Sequence, residues 1–153
     1  MVPTFKPGAC LFTTPISGPL ERGDVVMIDD GFAGYAIKRI VGLPGETVQL
    51  WRGQVYINRQ AIAEPYVPRN MYTYAKPKRG TCILGQNQYY VMGDNRLKSV
   101  DSRIYGPVSR GKIKRKVPLP PNAPRAEFAP YLLPDGGVLP RPSVSKSGNL
   151  SMF

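Results

Sequence analysis

Lys38 is the residue whose type and setting most invite chemistry. It sits in Tyr35-Ala36-Ile37-Lys38-Arg39-Ile40-Val41-Gly42-Leu43-Pro44-Gly45-Glu46, where Tyr, Ile and Val favour a pleated, half-buried surface. Strand alternation places Lys38 on one face with Ala36 and Ile40, and Arg39 on the other with Ile37 and Val41. An ammonium among small and branched apolar side chains is desolvated. That favours the neutral amine and makes lysine a general base near neutral pH. The same position also suits a lysine whose stem lies along the sheet and whose head reaches water. The second chemical stretch, 93–103, puts three Asp/Asn, two Arg and two Ser in eleven positions. Arg–carboxylate forks brace such loops, pairing Asp94 with Arg96 or Asp101 with Arg103. A solvated loop after a strand has the same composition.

The rest of the composition narrows the chemistry. The 153 residues include no histidine, which excludes Ser-His-Asp and Cys-His catalysis and every His-containing metal site. Cys10 and Cys82 form no CxxC, so no metal site is expected. A net charge of +11 implies an anionic neighbour, nucleic acid or an acidic membrane surface. No apolar run in the chain is long enough for a transmembrane helix or a signal peptide.

The elements that must position these residues read as strands. Seventeen prolines and sixteen glycines favour a turn-rich β protein. Val25-Val26-Met27-Ile28 is a buried strand, and Asp29-Asp30-Gly31 turns into the Lys38 strand. Pro44-Gly45 fits the centre of a type II turn. Segments 47–51 and 54–58 form a hairpin around Arg52-Gly53, with Trp51 and Val55 expected buried or half-buried. Stretch 61–87 reads as an inserted loop or β-ribbon carrying the basic cluster Lys76-Pro77-Lys78-Arg79. Gln88-Tyr89-Tyr90-Val91-Met92 is a strand, and 109–117 is expected to be the last. From Pro118 to 153 the chain is Pro-rich and irregular, read as a flexible tail. Ser143-Val144-Ser145-Lys146 matches Ser-x-x-Lys, but without the helix that would bring serine and lysine together.

Arg22-Gly23-Asp24-Val25-Val26, Lys38 to Glu46, and Gly93-Asp94-Asn95-Arg96 with Ser99, Asp101, Ser102 and Arg103 together resemble type I signal peptidases, in the family's order and near its spacings. Met1-Val2-Pro3-Thr4 resembles the family's Ser-Met-x-Pro-Thr box, starting one residue late. The resemblance covers residues 1–117. It implies an all-β catalytic domain of coiled antiparallel sheets, and a serine endopeptidase that removes signal peptides from secretory preproteins with a Ser/Lys dyad and no cofactor. Lys38 inherits the general base and Ser99 the residue that orients it. Asp94, Arg96, Asp101, Ser102 and Arg103 inherit the supporting network. Met1, Phe5, Met27, Ala36 and Ile37 inherit the substrate pockets.

The family's nucleophilic serine immediately precedes the methionine that corresponds to Met1, and its membrane anchor lies further upstream. Neither has a counterpart in this sequence, so the polypeptide as written is expected to be inactive. The implied partners are signal peptides, bound by strand addition, and an anionic membrane surface on the extracytoplasmic face. A catalytically inactive peptide-binding relative is the alternative reading. A nucleic-acid binder is a third, suggested by Lys112-Ile113-Lys114-Arg115-Lys116; these residues alternate like a strand's exposed face and carry no recognition motif, so no nucleic acid is expected.

Overall fold

In a computed structural model, residues 1–31, 34–74 and 80–128 are described. The cluster Lys76-Pro77-Lys78-Arg79, the Ser-x-x-Lys match and the tail beyond 128 lie outside these residues. Apolar alternation and closely spaced turn residues produce ten strands: β1 Val25–Asp29, β2 Tyr35–Gly42, β3 Thr47–Trp51, β4 Gln54–Ile57, β5 Gln60–Ala63, β6 Thr81–Ile83, β7 Gln88–Met92, β8 Val108–Ser109, β9 Ile113–Val117 and β10 Glu127–Phe128. They form two antiparallel five-stranded sheets, in the orders β8-β7-β2-β1-β9 and β10-β5-β4-β3-β6. The described helical structure is one short turn, α1 Ser102–Tyr105, and a single 3-10 turn at Arg110–Lys112.

The first sheet is covered on both faces. Tyr90 and Met92 of β7 and Val41 of β2 pack against Val48, Leu50, Val55, Ile57 and Ile62 of the second sheet. Tyr89 and Val91, one residue out of phase, face the opposite way with Val26, Ile28, Ile40 and Ile113, under Leu20. A strand that feeds two cores must be apolar at successive positions, which explains the unbroken run in β7. The charged strand β2 lies between β1 and β7. The Pro44-Gly45 turn that ends it has Gly45 at φ +80°, closed by Glu46 N–H on the Leu43 carbonyl at 3.2 Å. The Glu46 carboxylate also accepts from Leu43 N–H at 2.7 Å and pairs with Arg22 at 2.6 Å.

Two expectations are corrected. Val55 is buried, but Trp51 is 55% exposed. It is the last residue of β3 and pairs with Gln54 at the hairpin tip, so alternation buries Val48 and Leu50 and turns Trp51 outward. There its ring meets the edge of Tyr56 and the Arg52 guanidinium. The last expected strand is interrupted by the 3-10 turn, which separates β8 from β9. Within 61–87, Ala61–Ala63 complete β5 and Thr81–Ile83 form β6, both hydrogen-bonded into the second sheet. Within the Pro-rich stretch, Glu127 and Phe128 pair with Ala63 and Ile62 as β10. The thiols of Cys10 and Cys82 form no disulfide. Among the described residues no helix is long and apolar enough to cross a membrane.

Candidate active site

Lys38 lies opposite Val26 in the β1–β2 ladder, on the face that carries Ala36 and Ile40 into the core. Its Nζ donates to the Ser99 Oγ at 3.3 Å. Burial holds its pKa below the ordinary lysine value; Asp101 and Asp30 oppose that shift, and Arg103 reinforces it. Stem burial with the amine in water would not desolvate the charge in this way.

Ser99 is held by the loop that follows β7. Its backbone N–H donates to the Asn95 carbonyl at 3.0 Å, and its Cβ and hydroxyl press against Gly93. Its hydroxyl lies close enough to the Asp101 carboxylate to help lower that group's pKa. Asp101 is fully buried. Burial alone would raise its pKa, but the hydrogen bond and charge of Arg103, the Ser99 hydroxyl and the Gly93 N–H together lower it. Arg103 reaches Asp101 through Nε and Nη2, both at 2.8 Å. Asp101 also caps α1, and the Ser102 hydroxyl accepts the Val91 N–H at 2.9 Å. The one-turn helix is thus tied to β7 and fixes the Ser99 end of the loop.

Of the two forks expected in this loop, Asp101–Arg103 forms and Asp94–Arg96 does not. Asp94 instead accepts from Arg39 Nε at 2.9 Å and Nη2 at 2.8 Å, with the two side chains 0% and 1% exposed. The ladder explains this: Arg39 pairs with Met92, and Asp94 emerges two residues later on the Arg39 side of β2. Arg96 is carried past Asp94 and meets Glu64 beyond the end of β5, at 2.8 and 2.6 Å, and the Thr73 hydroxyl. Thr4 bonds both Arg39 and Asp94. Sequence reasoning missed Arg39, Thr4, Glu64, Tyr66 and Thr73 as members of the network. Only Arg39 carried a signal, because alternation put its charge on the face of Ile37 and Val41.

An open pocket of about 240 Å³ lies at the Lys38 amine, lined among others by Met1, Ile37, Gly93, Asn95 and Ser99. Phe5 is half-buried and closes a turn onto Met1, its N–H on the Met1 carbonyl at 2.8 Å. Met27 pairs with Ile37, and Ala36 with Ile28 on the Lys38 face. Of the residues expected to contact substrate, the structure brings Met1 and Ile37 to the pocket; Phe5 and Met27 adjoin them, and Ala36 packs towards the core. β7 begins to pair with β2 only at Arg39, so, among the described residues, positions 35–38 of β2 have β1 as their strand partner and no strand on their second edge. Among the described residues no group of three or more Cys, Asp or Glu is placed to hold a metal ion.

Two antiparallel sheets with almost no helix are the architecture of a signal peptidase catalytic domain. The crystal structure of a signal peptidase I from Enterococcus faecalis V583 shares it, with a TM-score of 0.54 and 29% identity, covering 66% of this chain and 97% of that one. The chain belongs to the signal peptidase, peptidase S26 family, whose model matches residues 1–120. It is 40% identical over 115 residues to signal peptidase I T of Bacillus subtilis (strain 168), covering 67% of this chain and 58% of that protein. Signal peptidase I V of the same organism is 33% identical over 126 residues, covering 74% and 75%. The chain thus spans 58% of the length of the first of these relatives.

Proposed function

We propose that this chain is the catalytic core of a signal peptidase I, a serine endopeptidase that removes N-terminal signal peptides from secretory preproteins. The observation that carries the reading is the Lys38 amine, 3.3 Å from Ser99, with its pKa lowered by burial and a pocket beside it that Met1 lines. A neutral amine has two hydrogens and one lone pair. Giving one hydrogen to Ser99 restricts the direction of the lone pair, and Ser99 is itself held in place by its backbone bond to the Asn95 carbonyl. In the family the nucleophilic serine stands immediately before the residue matching Met1. In a form of the protein that carries it, Lys38 takes the proton from that hydroxyl as the oxygen attacks the scissile carbonyl. The protonated Lys38 then returns the proton to the leaving amine, and neutral Lys38 activates the water that releases the acyl group.

The substrate adds as a strand along the open edge of residues 35–38, through backbone hydrogen bonds. Met1, Ile37 and their neighbours take the small side chains of an Ala-x-Ala cleavage context. The net charge of +11 suits an anionic membrane surface on the extracytoplasmic side. The test is incubation of a form carrying a serine directly before Met1 with a synthetic preprotein peptide and mass analysis of the products. A single cut after the second alanine supports the reading. Tight peptide binding without a cut marks a peptide-binding relative instead.

A further inference from the structure

A fully buried ion pair, Arg39–Asp94, and a part-buried one, Arg96–Glu64, lie behind the Lys38 centre, and one side chain joins them. Tyr66, 3% exposed, donates its hydroxyl to Glu64 at 2.8 Å, and its ring lies under the Arg39 guanidinium at 4.0 Å. Each pair leads to a different part of the centre. Arg39 bonds Thr4 at 3.2 Å, near the start of the chain where Met1 lines the pocket. Arg96 donates through Nε to the Gly93 carbonyl at 3.2 Å, at the glycine that Ser99 packs against. The segment carrying Glu64, Tyr66 and Thr73 contributes no group to the pocket itself.

We propose that Tyr66 and Glu64 are positioning residues: through Arg39 and Arg96 they set the Met1–Thr4 segment and the Gly93–Ser99 loop in register around the Lys38 amine. This deepens the signal peptidase reading and rests on it for its catalytic arm. A planar ring suits the task because it supports the flat face of a guanidinium while its hydroxyl reaches the other pair. Burial first, then the charge of Glu64, keeps the Tyr66 hydroxyl protonated far into alkali, so it remains a donor throughout the working range. Arg96 stays charged because Glu64 outweighs its burial.

The test uses Tyr66→Leu, which removes ring and hydroxyl, and Tyr66→Phe, which keeps the ring. The first readout is NMR titration of the Lys38 ε-methylene in the chain 1–153, which needs no nucleophile. Tyr66→Leu is expected to move the Lys38 midpoint towards the ordinary value of 10.5, and Tyr66→Phe to move it less. The second readout is cleavage of an Ala-x-Ala peptide by the form carrying a serine directly before Met1. There Tyr66→Leu is expected to lower kcat by about 10²-fold, the usual effect of a misplaced reacting group, with KM little changed. Melting is recorded alongside. A lowered melting temperature with the Lys38 midpoint, kcat and pH profile all unchanged would make Tyr66 a structural residue only and overturn the proposal. If Tyr66→Leu does not fold, the same comparison is decided on Tyr66→Phe. A wild-type protein that cuts no peptide would sink the signal peptidase reading and leave the titration to decide this one.

Discussion

Gly93 and Ser99 are packed so closely that a methyl group on Gly93 would stand 2.3 Å from the Ser99 hydroxyl oxygen and 2.7 Å from its Cβ. The Lys38 amine is 4.0 Å from the same point. The Lys38–Ser99 contact therefore exists because position 93 has no side chain. Gly93→Ala must push Ser99 away from Lys38. It is expected to cost about 1–3 kcal/mol, as overpacking does, and to lower kcat more than it raises KM. A variant with wild-type kcat would show that Ser99 does not orient the amine.

Removing one member of the Arg39–Asp94 pair leaves the other charged and buried. Arg39→Met is expected to destabilise the fold by about 3–5 kcal/mol in urea denaturation, and Arg39→Met with Asp94→Leu by less. A loss under about 1 kcal/mol for the single change, the scale of a surface pair, would show the site to be wetter than the structure has it.

Lys38 gives the fold a pH dependence with a defined sign. Its folded pKa lies below the unfolded value of 10.5, so between the two the unfolded chain binds more protons. Stability then rises with pH from the folded pKa up to 10.5, and below the folded pKa the buried ammonium is a standing cost. Lys38→Met is expected to stabilise the protein at neutral pH and to remove this alkaline rise. Thermal melts of both proteins across the alkaline range check it. A destabilising Lys38→Met at neutral pH would mean that the amine is satisfied in its charged form.

The segment leading to β10 contributes to the fold. Ala126 packs against the core between the sheets, Phe128 lies under Arg22 at 5.2 Å, and Glu127 and Phe128 pair with β5. Truncation after Val117 is expected to cost about 1–2 kcal/mol relative to truncation after Phe128. Equal stability of the two truncations would show that β10 is an incidental pairing.

Strands β1, β2, β3, β4 and β7 were legible because apolar alternation and turn residues are local signals. Lys38 was legible for the same reason, since its neighbours at 36 and 40 define its face. The network behind it was not. Whether Asp94 pairs with Arg96 or with Arg39 depends on which side of β2 the chain leaves β7, and that is set by the Arg39–Met92 register. Glu64 and Thr73 lie in a stretch with no periodicity and are joined to Arg96 only by folding. Trp51 faces outward because its phase in β3, not its hydrophobicity, sets its side of the sheet. The phase is what turns a residue outward when its two neighbours in alternation, Val48 and Leu50, are already buried.

The central claim is that the Lys38 amine is the general base. Its most direct measurement is the single-turnover rate of peptide cleavage, by the form carrying a serine directly before Met1, with Lys38 replaced by alanine and by arginine. Circular dichroism is recorded to confirm the fold. Arginine keeps a charge but cannot accept a proton at working pH. The account predicts that both variants fold and that both lose about 10²–10⁴-fold in rate, the span general-base catalysis supplies. A folded Lys38→Ala protein that cleaves within about tenfold of the wild type, well short of that span, would contradict it.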